Sequence, residues 1–168
     1  MSVPFFPPSL DPIDLDGGWR LREVGVLEGL FGVDGNGAVQ PKLVSDWSRS
    51  DGDTRWEFTL RDDVMLHDGS ALGADAVVFS LERAFSMSGS RLSGLPIDAV
   101  EADDDRTVAV TTTEPLASLP GQLTRPPAGI ISPDSANGDG EIESPIATGP
   151  FQVDSWQPDS QLAVTKHD

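Results

Sequence analysis

The sequence predicts an α+β fold in which mostly antiparallel strands are combined with about three helices. Three observations predict it: segments that alternate apolar and polar residues, turn-forming residues between successive strands, and segments with apolar residues at helical spacing. The 168 residues are 38% hydrophobic, which is sufficient for one domain with a buried core. No run of about 18 apolar residues occurs, so no membrane-spanning helix is predicted.

The N-terminal part predicts a leading segment followed by a first helix. Residues 1–17 are rich in proline and show no period, which favours an extended conformation. Asp16-Gly17-Gly18 predicts a break in the chain before Trp19. Residues 19–31 carry apolar side chains at spacings of three and four, which predicts an amphipathic helix that ends in a turn over residues 32–37.

The middle of the chain predicts strands around a second helix. Residues 39–47 are extended in character, and Pro41 indicates an edge or an irregular strand. Residues 55–61 alternate between apolar and polar side chains, which predicts a half-buried strand. After a turn at residues 67–70, the spacing of apolar residues predicts a helix with a wide apolar face over residues 75–87.

Two hairpins and a short helix are predicted in the C-terminal half, with loops between them. Their bounds are residues 98–101 with 106–113 for the first hairpin, 117–123 for the helix, and 151–156 with 162–165 for the second hairpin. Asp103-Asp104-Asp105 and Pro158-Asp159 supply the turns of the two hairpins.

Charge restricts the partners that the protein can bind. The formal net charge is −17, from 28 acidic and 11 basic residues, which excludes nucleic-acid binding because phosphates require a basic face. Aspartate outnumbers glutamate, and Lys42 and Lys166 are the only lysines in the sequence. Molar salt screens the self-repulsion of such a surface, so the composition predicts a protein from a halophile. The alternative is an ordinary acidic secreted protein.

The residues predict neither a catalytic centre nor a cofactor or metal site. The absence of cysteine excludes disulfides, cysteine-ligated metals and thiol nucleophiles. Acidic residues within positions 103–114 fall at EF-hand spacing, but Val108 occupies the position that requires glycine. His67 lies in a turn beside Asp68, where a capping or packing role is favoured, and His167 is 100 residues away. No serine-nucleophile motif is present, so we do not predict an enzyme.

Several short motifs occur in the order in which one known family carries them. They are Ser9-Leu10-Asp11-Pro12, residues 27–31, Pro41-Lys42-Leu43 with Ser45-Asp46-Trp47, residues 58–61, Val64, His67-Asp68-Gly69, residues 75–80, and residues 147–151 with Trp156. Through this combination the chain resembles the family 5 extracellular solute-binding proteins of ABC importers. It departs from the family at Gly73, where a threonine usually caps the helix, and at Ala147, which replaces a usual glycine.

The resemblance implies a solute-binding component of an ABC importer, which captures a peptide or a metal chelate and delivers it to permease subunits. It also implies part of lobe I of a two-lobed periplasmic-binding-protein-like type II fold. Residues 1–38 would be the leading segment and first helix of lobe I, and residues 39–168 would be a lobe I subdomain.

Because family members are much longer, the chain is expected to be a fragment without the second lobe. The implied location is extracellular or periplasmic, membrane-associated in the full-length form. The N-terminus has no basic region and no long apolar stretch, so it is not predicted to be a signal peptide.

The resemblance also suggests residues that contact the solute. Trp19 and Arg20 correspond to a stretch that lines the cleft in the family, and they offer a stacking face and a cation; the alternatives are a core tryptophan and a solvated arginine. Arg125, followed by two prolines, resembles an Arg-Pro that reaches the carboxylate of the bound chelate in the nickel-binding branch. The alternative for Arg125 is a surface arginine paired with an aspartate. Arg91 is a further candidate.

Two classes of function therefore remain open, a solute-binding receptor and an acidic non-catalytic structural or protein-interaction domain. A single cleft that contains both Trp19 and Arg125 would favour the receptor. Because closure requires two lobes, the chain by itself is expected to bind solute weakly or not at all.

Overall fold

The fold is centred on a four-stranded antiparallel sheet in a computed structural model that describes residues 7–167. Within these residues the helices and strands are, in chain order, α1 (Leu15–Glu23), β1 (Phe31–Val33), β2 (Val39–Pro41), β3 (Val44–Ser50), β4 (Arg55–Leu60), α2 (Ala74–Ser86), β5 (Ile97–Ala102), β6 (Thr107–Thr112), α3 (Leu119–Gln122), β7 (Phe151–Gln157) and β8 (Gln161–Lys166). Residues 1–6 of the predicted leading segment lie outside the described range.

The four-stranded sheet has the order β3-β4-β6-β5, and each neighbouring pair is antiparallel. Along β4, Trp56, Phe58 and Leu60 are buried and alternate with partly exposed residues. The register places Phe58 opposite Val108 of β6. This alternation confirms the half-buried strand and the hairpin that the sequence predicts.

Helix α2 begins and ends one residue before the bounds predicted from its apolar spacing. Val77, Leu81 and Ala84 are fully buried at its inner face. Gly73 is the N-cap and provides no side-chain hydrogen bond, as its position in the motif predicts. Instead, the N–H of Ala74 donates to the carbonyl of Asp105, at 2.9 Å, so the tip of the β5–β6 hairpin satisfies the helix start.

The bounds predicted for the first helix are wrong. Helix α1 includes Gly17 and Gly18, whereas the sequence predicts a break there. A side chain at Gly17 would place its Cβ 2.5 Å from the carbonyl oxygen of Ser9, so glycine allows the leading segment to pack against the helix. The helix ends before Gly25, whose φ of 77° lies in the left-handed region, and the N–H of Val26 returns to the carbonyl of Leu21 at 2.8 Å.

Two groups of buried apolar side chains form the core. The sheet cluster comprises buried residues of α2, α3 and β3–β6 together with Leu30, Phe31, Leu43, Leu72, Leu92, Leu123, Ala128 and Ile130. The junction cluster joins segments from both ends of the chain, and its buried members are Leu10, Leu21, Val26, Leu27, Ile131, Ile142 and Ala147. The β7–β8 hairpin packs against the junction cluster through Val153, Trp156, Leu162 and Val164.

Buried polar contacts connect the two clusters. The hydroxyl of Ser80 in α2 accepts a hydrogen bond from the N–H of Ile131 at 2.9 Å. Arg83, also in α2, donates to the carboxylate of Asp11 at 2.6 Å, and both side chains are largely covered. These contacts attach the leading segment and the loop at residue 131 to the helix that covers the sheet.

None of the helices formed by residues 7–167 has both the length and the apolar character needed to cross a bilayer.

Candidate functional site

Three of the four predicted solute contacts, Trp19, Arg20 and Arg125, belong to the segments that meet where α1 packs on the 3₁₀ turn Pro126–Ala128. Gly18 is the point of closest approach, because a Cβ built there would lie 3.0 Å from the Cβ of Pro126 and would clash with the carbonyl of Pro12. Glycine at this position therefore lets the helix lie directly on the turn. The pairing joins residues that are more than a hundred positions apart in the sequence.

Arg22 links α1 to the segment that precedes the Pro126–Ala128 turn. No pattern in the sequence indicates this role for Arg22. Its guanidinium donates to the backbone carbonyl of Thr124, the residue before Arg125. Burial lowers the pKa of Arg22 from its ordinary value, while the nearby Glu28 carboxylate opposes the shift. Arg22 remains a cation at any physiological pH, so its hydrogen bond between α1 and the Thr124 loop does not titrate.

Trp19 and Arg125 flank the contact between α1 and the turn. Trp19 follows Gly18 and is 57% exposed, so the alternative of a core tryptophan does not hold. Arg125 precedes Pro126 and is also exposed. Within residues 7–167 its guanidinium has no hydrogen-bond or ion-pair partner.

The other two predicted contacts are placed differently. Arg20 forms an ion pair with Glu23 at 2.6 Å, and only 11% of its side chain is exposed. Arg91 is exposed in the loop after α2, beside the buried Ser90 and Leu92. Among the described residues no hydrogen bond or ion pair joins the side chain of Arg91 to α1 or to Arg125. Of the four predicted residues, Trp19 and Arg20 thus lie on α1, Arg125 directly precedes the turn that α1 contacts, and Arg91 lies in the loop after α2.

The segment after α1 carries a second polar group close to this contact. Glu28 accepts a hydrogen bond from the hydroxyl of Thr148 at 3.1 Å, which attaches the residue 147–150 turn to the segment. Glu28 also lines an open cleft with Lys42, Arg61 and His167. In the part of the chain that the structure describes, no three histidine or acidic side chains converge to hold a metal ion.

Comparison with known families identifies the relationship of the chain. Residues 38–168 match the family described as bacterial extracellular solute-binding proteins, family 5 Middle. The chain belongs to this family. Its members are solute-binding proteins rather than enzymes, which agrees with the sequence-based prediction at the level of the family.

The names of the curated relatives give different solutes for different members. The chain is 32% identical over 142 residues to the probable D,D-dipeptide-binding periplasmic protein DdpA of Escherichia coli K12, covering 79% of the chain and 27% of that relative. It is also 32% identical over 165 residues to the glutathione-binding protein GsiB of Pectobacterium atrosepticum, covering 94% of the chain and 32% of that relative. The chain therefore spans about a third of the length of these relatives.

Solved structures confirm the predicted fold class. A nickel ABC transporter protein from Bacillus halodurans superimposes with a TM-score of 0.84 at 34% identity, over 97% of the chain and 33% of that protein. NikA from Staphylococcus aureus in complex with Ni(L-His)2 gives a TM-score of 0.86 at 23% identity, over 98% of the chain and 34% of NikA, a likeness of fold alone. The chain thus has the fold of part of one lobe of a type II periplasmic binding protein.

Proposed function

We propose that the chain is part of the receptor of an ABC importer and that this receptor captures a small carboxylate-bearing solute, either a peptide or a metal chelate. Membership of the solute-binding family supports the general role. The solutes in the names of its relatives, D,D-dipeptides, glutathione and a nickel–histidine complex, all carry carboxylates. The observation that carries the proposal is the packing of α1, which includes Trp19, on Pro126–Ala128, the turn that Arg125 directly precedes.

Arg125 is the group that would bind the solute carboxylate. A guanidinium presents parallel N–H donors that match the two carboxylate oxygens. Pro126 and Pro127 are buried directly after it, so the backbone that carries the guanidinium is held rigidly. Since the chain has a net charge of −17, an anionic solute would be repelled by most of the surface, and a fixed unpaired cation supplies a local exception.

Trp19 would complete the contact by covering the apolar or planar part of the solute. An exposed indole ring offers a large flat surface together with one N–H donor. Because Arg22 ties the Thr124 loop to the helix, the separation between Trp19 and Arg125 is set before the solute arrives. Arg20 would have to leave Glu23 to reach a solute, and Arg91 is not part of this proposed contact.

For the whole protein, we propose the two-lobed arrangement, the location and the permease partner of a receptor. Residues 1–38 would belong with the first helix of lobe I and residues 39–168 with a lobe I subdomain, and a second lobe would close over the solute. The complete receptor would act outside the cytoplasmic membrane and pass its solute to the permease subunits. We also propose that its aspartate-rich surface is an adaptation to high salt.

A calorimetric titration of the chain with millimolar dipeptide, and separately with the nickel–histidine complex, tests the solute class. Arg125→Gln removes the cation, and Arg91→Gln is the matched control, because both arginines are exposed and without a side-chain partner within residues 7–167. We expect weak binding that Arg125→Gln abolishes and Arg91→Gln preserves. Binding that survives Arg125→Gln but is lost in Arg91→Gln would contradict the proposed site.

A further inference from the structure

The turn over residues 147–150 connects three parts of the molecule through its backbone. The N–H of Gly149 donates to the carbonyl of Val26, and the N–H of Phe151 donates to the carbonyl of Gly25, both at 3.1 Å. On its other side, the carbonyl of Pro150 accepts from the N–H of His167 at 2.9 Å. The turn therefore fastens the segment after α1 to the end of β8.

His67 holds this turn with both of its ring nitrogens. The N–H of Ala147 donates to Nδ1 at 3.2 Å, and Nε2 lies 2.9 Å from the carbonyl oxygen of Gly149. The backbone N–H of His67 also donates to the carbonyl of Ala147 at 2.9 Å. Because Nδ1 must accept and Nε2 must donate, these partners select the neutral imidazole with its proton on Nε2.

We propose that His67 is an acid-sensitive latch, which holds the N–H of Ala147 through Nδ1 when it is neutral and loses this one hold on the turn when it is protonated. A proton on Nδ1 would point at the N–H of Ala147, so two donors would face each other and that hydrogen bond would be lost. Loss of the hydrogen bond at Ala147 would let the turn move at the neighbouring Gly149. The backbone hydrogen bonds of this turn to Gly25 and Val26, which hold the segment after α1, would then weaken. Mild acid would thereby loosen the attachment of the helix that carries Trp19, whether or not the chain binds a solute.

The surroundings of His67 favour the neutral form. Burial is the main cause that lowers the pKa of His67 from its ordinary 6.5, and the His167 ring, whose centroid is 5.0 Å away, acts in the same direction. The carbonyls of Gly149 and Pro145 and the Asp68 carboxylate oppose the shift. The remaining charged groups of the adjoining cleft are Glu28, Lys42, Arg61 and Asp63.

The direction of the pH effect follows from this shift. A base with a lowered pKa in the folded state binds fewer protons there than in the unfolded chain. The latch therefore contributes its full stability above the ordinary pKa of 6.5, and the contribution falls as the pH drops toward the folded pKa. Few carboxylates titrate in this window, so they contribute little to the pH dependence there.

Nitrogen NMR of the two imidazole rings in the full chain, recorded as a function of pH, tests the latch directly. We expect the proton of His67 on Nε2 and a titration midpoint below 6.5. We expect His167→Asn, which removes the neighbouring charge, to move this midpoint upward. A proton on Nδ1, or a midpoint at or above 6.5, would overturn the proposal.

Unfolding equilibria provide the second readout. His67→Gln keeps one donor and one acceptor but cannot titrate, so its folding constant is expected to change several-fold less than that of the wild type between about pH 7.5 and about pH 5.5. An equal pH dependence in the two proteins would overturn the latch. If His67→Gln does not fold, the NMR titration of the wild type and of His167→Asn decides the question alone.

Discussion

The sheet cluster and the junction cluster are held together by different means. In the sheet cluster, elements that are close in sequence pair as hairpins and bury large apolar side chains, with Phe58 fully enclosed between Trp56 and Phe31. In the junction cluster, the contact of Arg22 with Thr124 spans 102 residues, and glycines, backbone hydrogen bonds and His67 supply much of the connection. The proposed latch lies on the junction side, whereas the candidate solute site lies between α1, whose Leu21 belongs to the junction cluster, and the Pro126–Ala128 turn, whose Ala128 belongs to the sheet cluster.

This difference separates stability from function within one chain. Apolar burial contributes free energy in proportion to area, so the sheet cluster is expected to supply most of the free energy of unfolding. Contacts that depend on single backbone groups and a titratable ring can open without unfolding the sheet. Regions that bind ligands or move are commonly drawn from such weaker parts of a structure.

Phe58→Ala is expected to cause the largest loss in the free energy of unfolding, because Phe58 lies in the sheet cluster. Phe58 is fully buried, stacks on Trp56 with a centroid distance of 6.3 Å and meets Phe31 edge-on at 5.7 Å. Removing its ring leaves a cavity, and we expect a loss of about 3–5 kcal/mol in the free energy of unfolding. Urea denaturation measures the loss, and Val33→Ala, at a side chain that is 61% exposed, is the control. Equal losses in the two variants would show that the sheet cluster does not dominate stability.

Gly149→Ala should damage the junction cluster selectively. An added Cβ would lie 2.5 Å from the carbonyl oxygen of Val26, and backbone atoms rather than a flexible side chain would have to move. We expect a loss of about 1–3 kcal/mol, whereas Gly35→Ala, where a Cβ meets nothing within 4 Å, should cost little. Amide hydrogen exchange distinguishes the regions, because protection should fall at residues 25–28 and persist in β4 and β6. Loss of protection in β4 would contradict the division into two clusters.

Added salt is expected to have the smallest effect on stability. This effect should be the same whether or not the junction cluster is damaged. The net charge of −17 repels itself at low ionic strength, and molar KCl screens that repulsion. We expect the thermal midpoint to rise with KCl by a similar amount in the wild type and in Gly149→Ala. A midpoint that does not rise with salt would contradict adaptation to high salt.

The sequence predicts the sheet cluster well because its elements carry local patterns. The alternation in β4 and the apolar spacing in α2 locate both elements within one residue of their observed bounds. The predicted first helix fails because Gly17 and Gly18 are poor helix formers, and their presence in α1 reflects close packing against Ser9 and Pro12.

The candidate site is only partly accessible to sequence reasoning. The family resemblance is what indicates Arg125 and Trp19 as solute contacts. Nothing in their local sequence indicates that α1 lies on the Pro126–Ala128 turn. Arg22 carries no signal that separates it from Arg20, yet Arg22 reaches Thr124 while Arg20 pairs with Glu23. Contacts between distant segments depend on the folded chain, and a single sequence does not record them.

Mapping backbone amide shifts by NMR during titration with a dipeptide or the nickel–histidine complex tests most directly whether the face of α1 and the Pro126–Ala128 turn binds solute. The proposal predicts shifts confined to residues 15–23 and 124–128, which Arg125→Gln removes. Shifts centred on another part of the chain, or shifts at these residues that persist in Arg125→Gln, would contradict it.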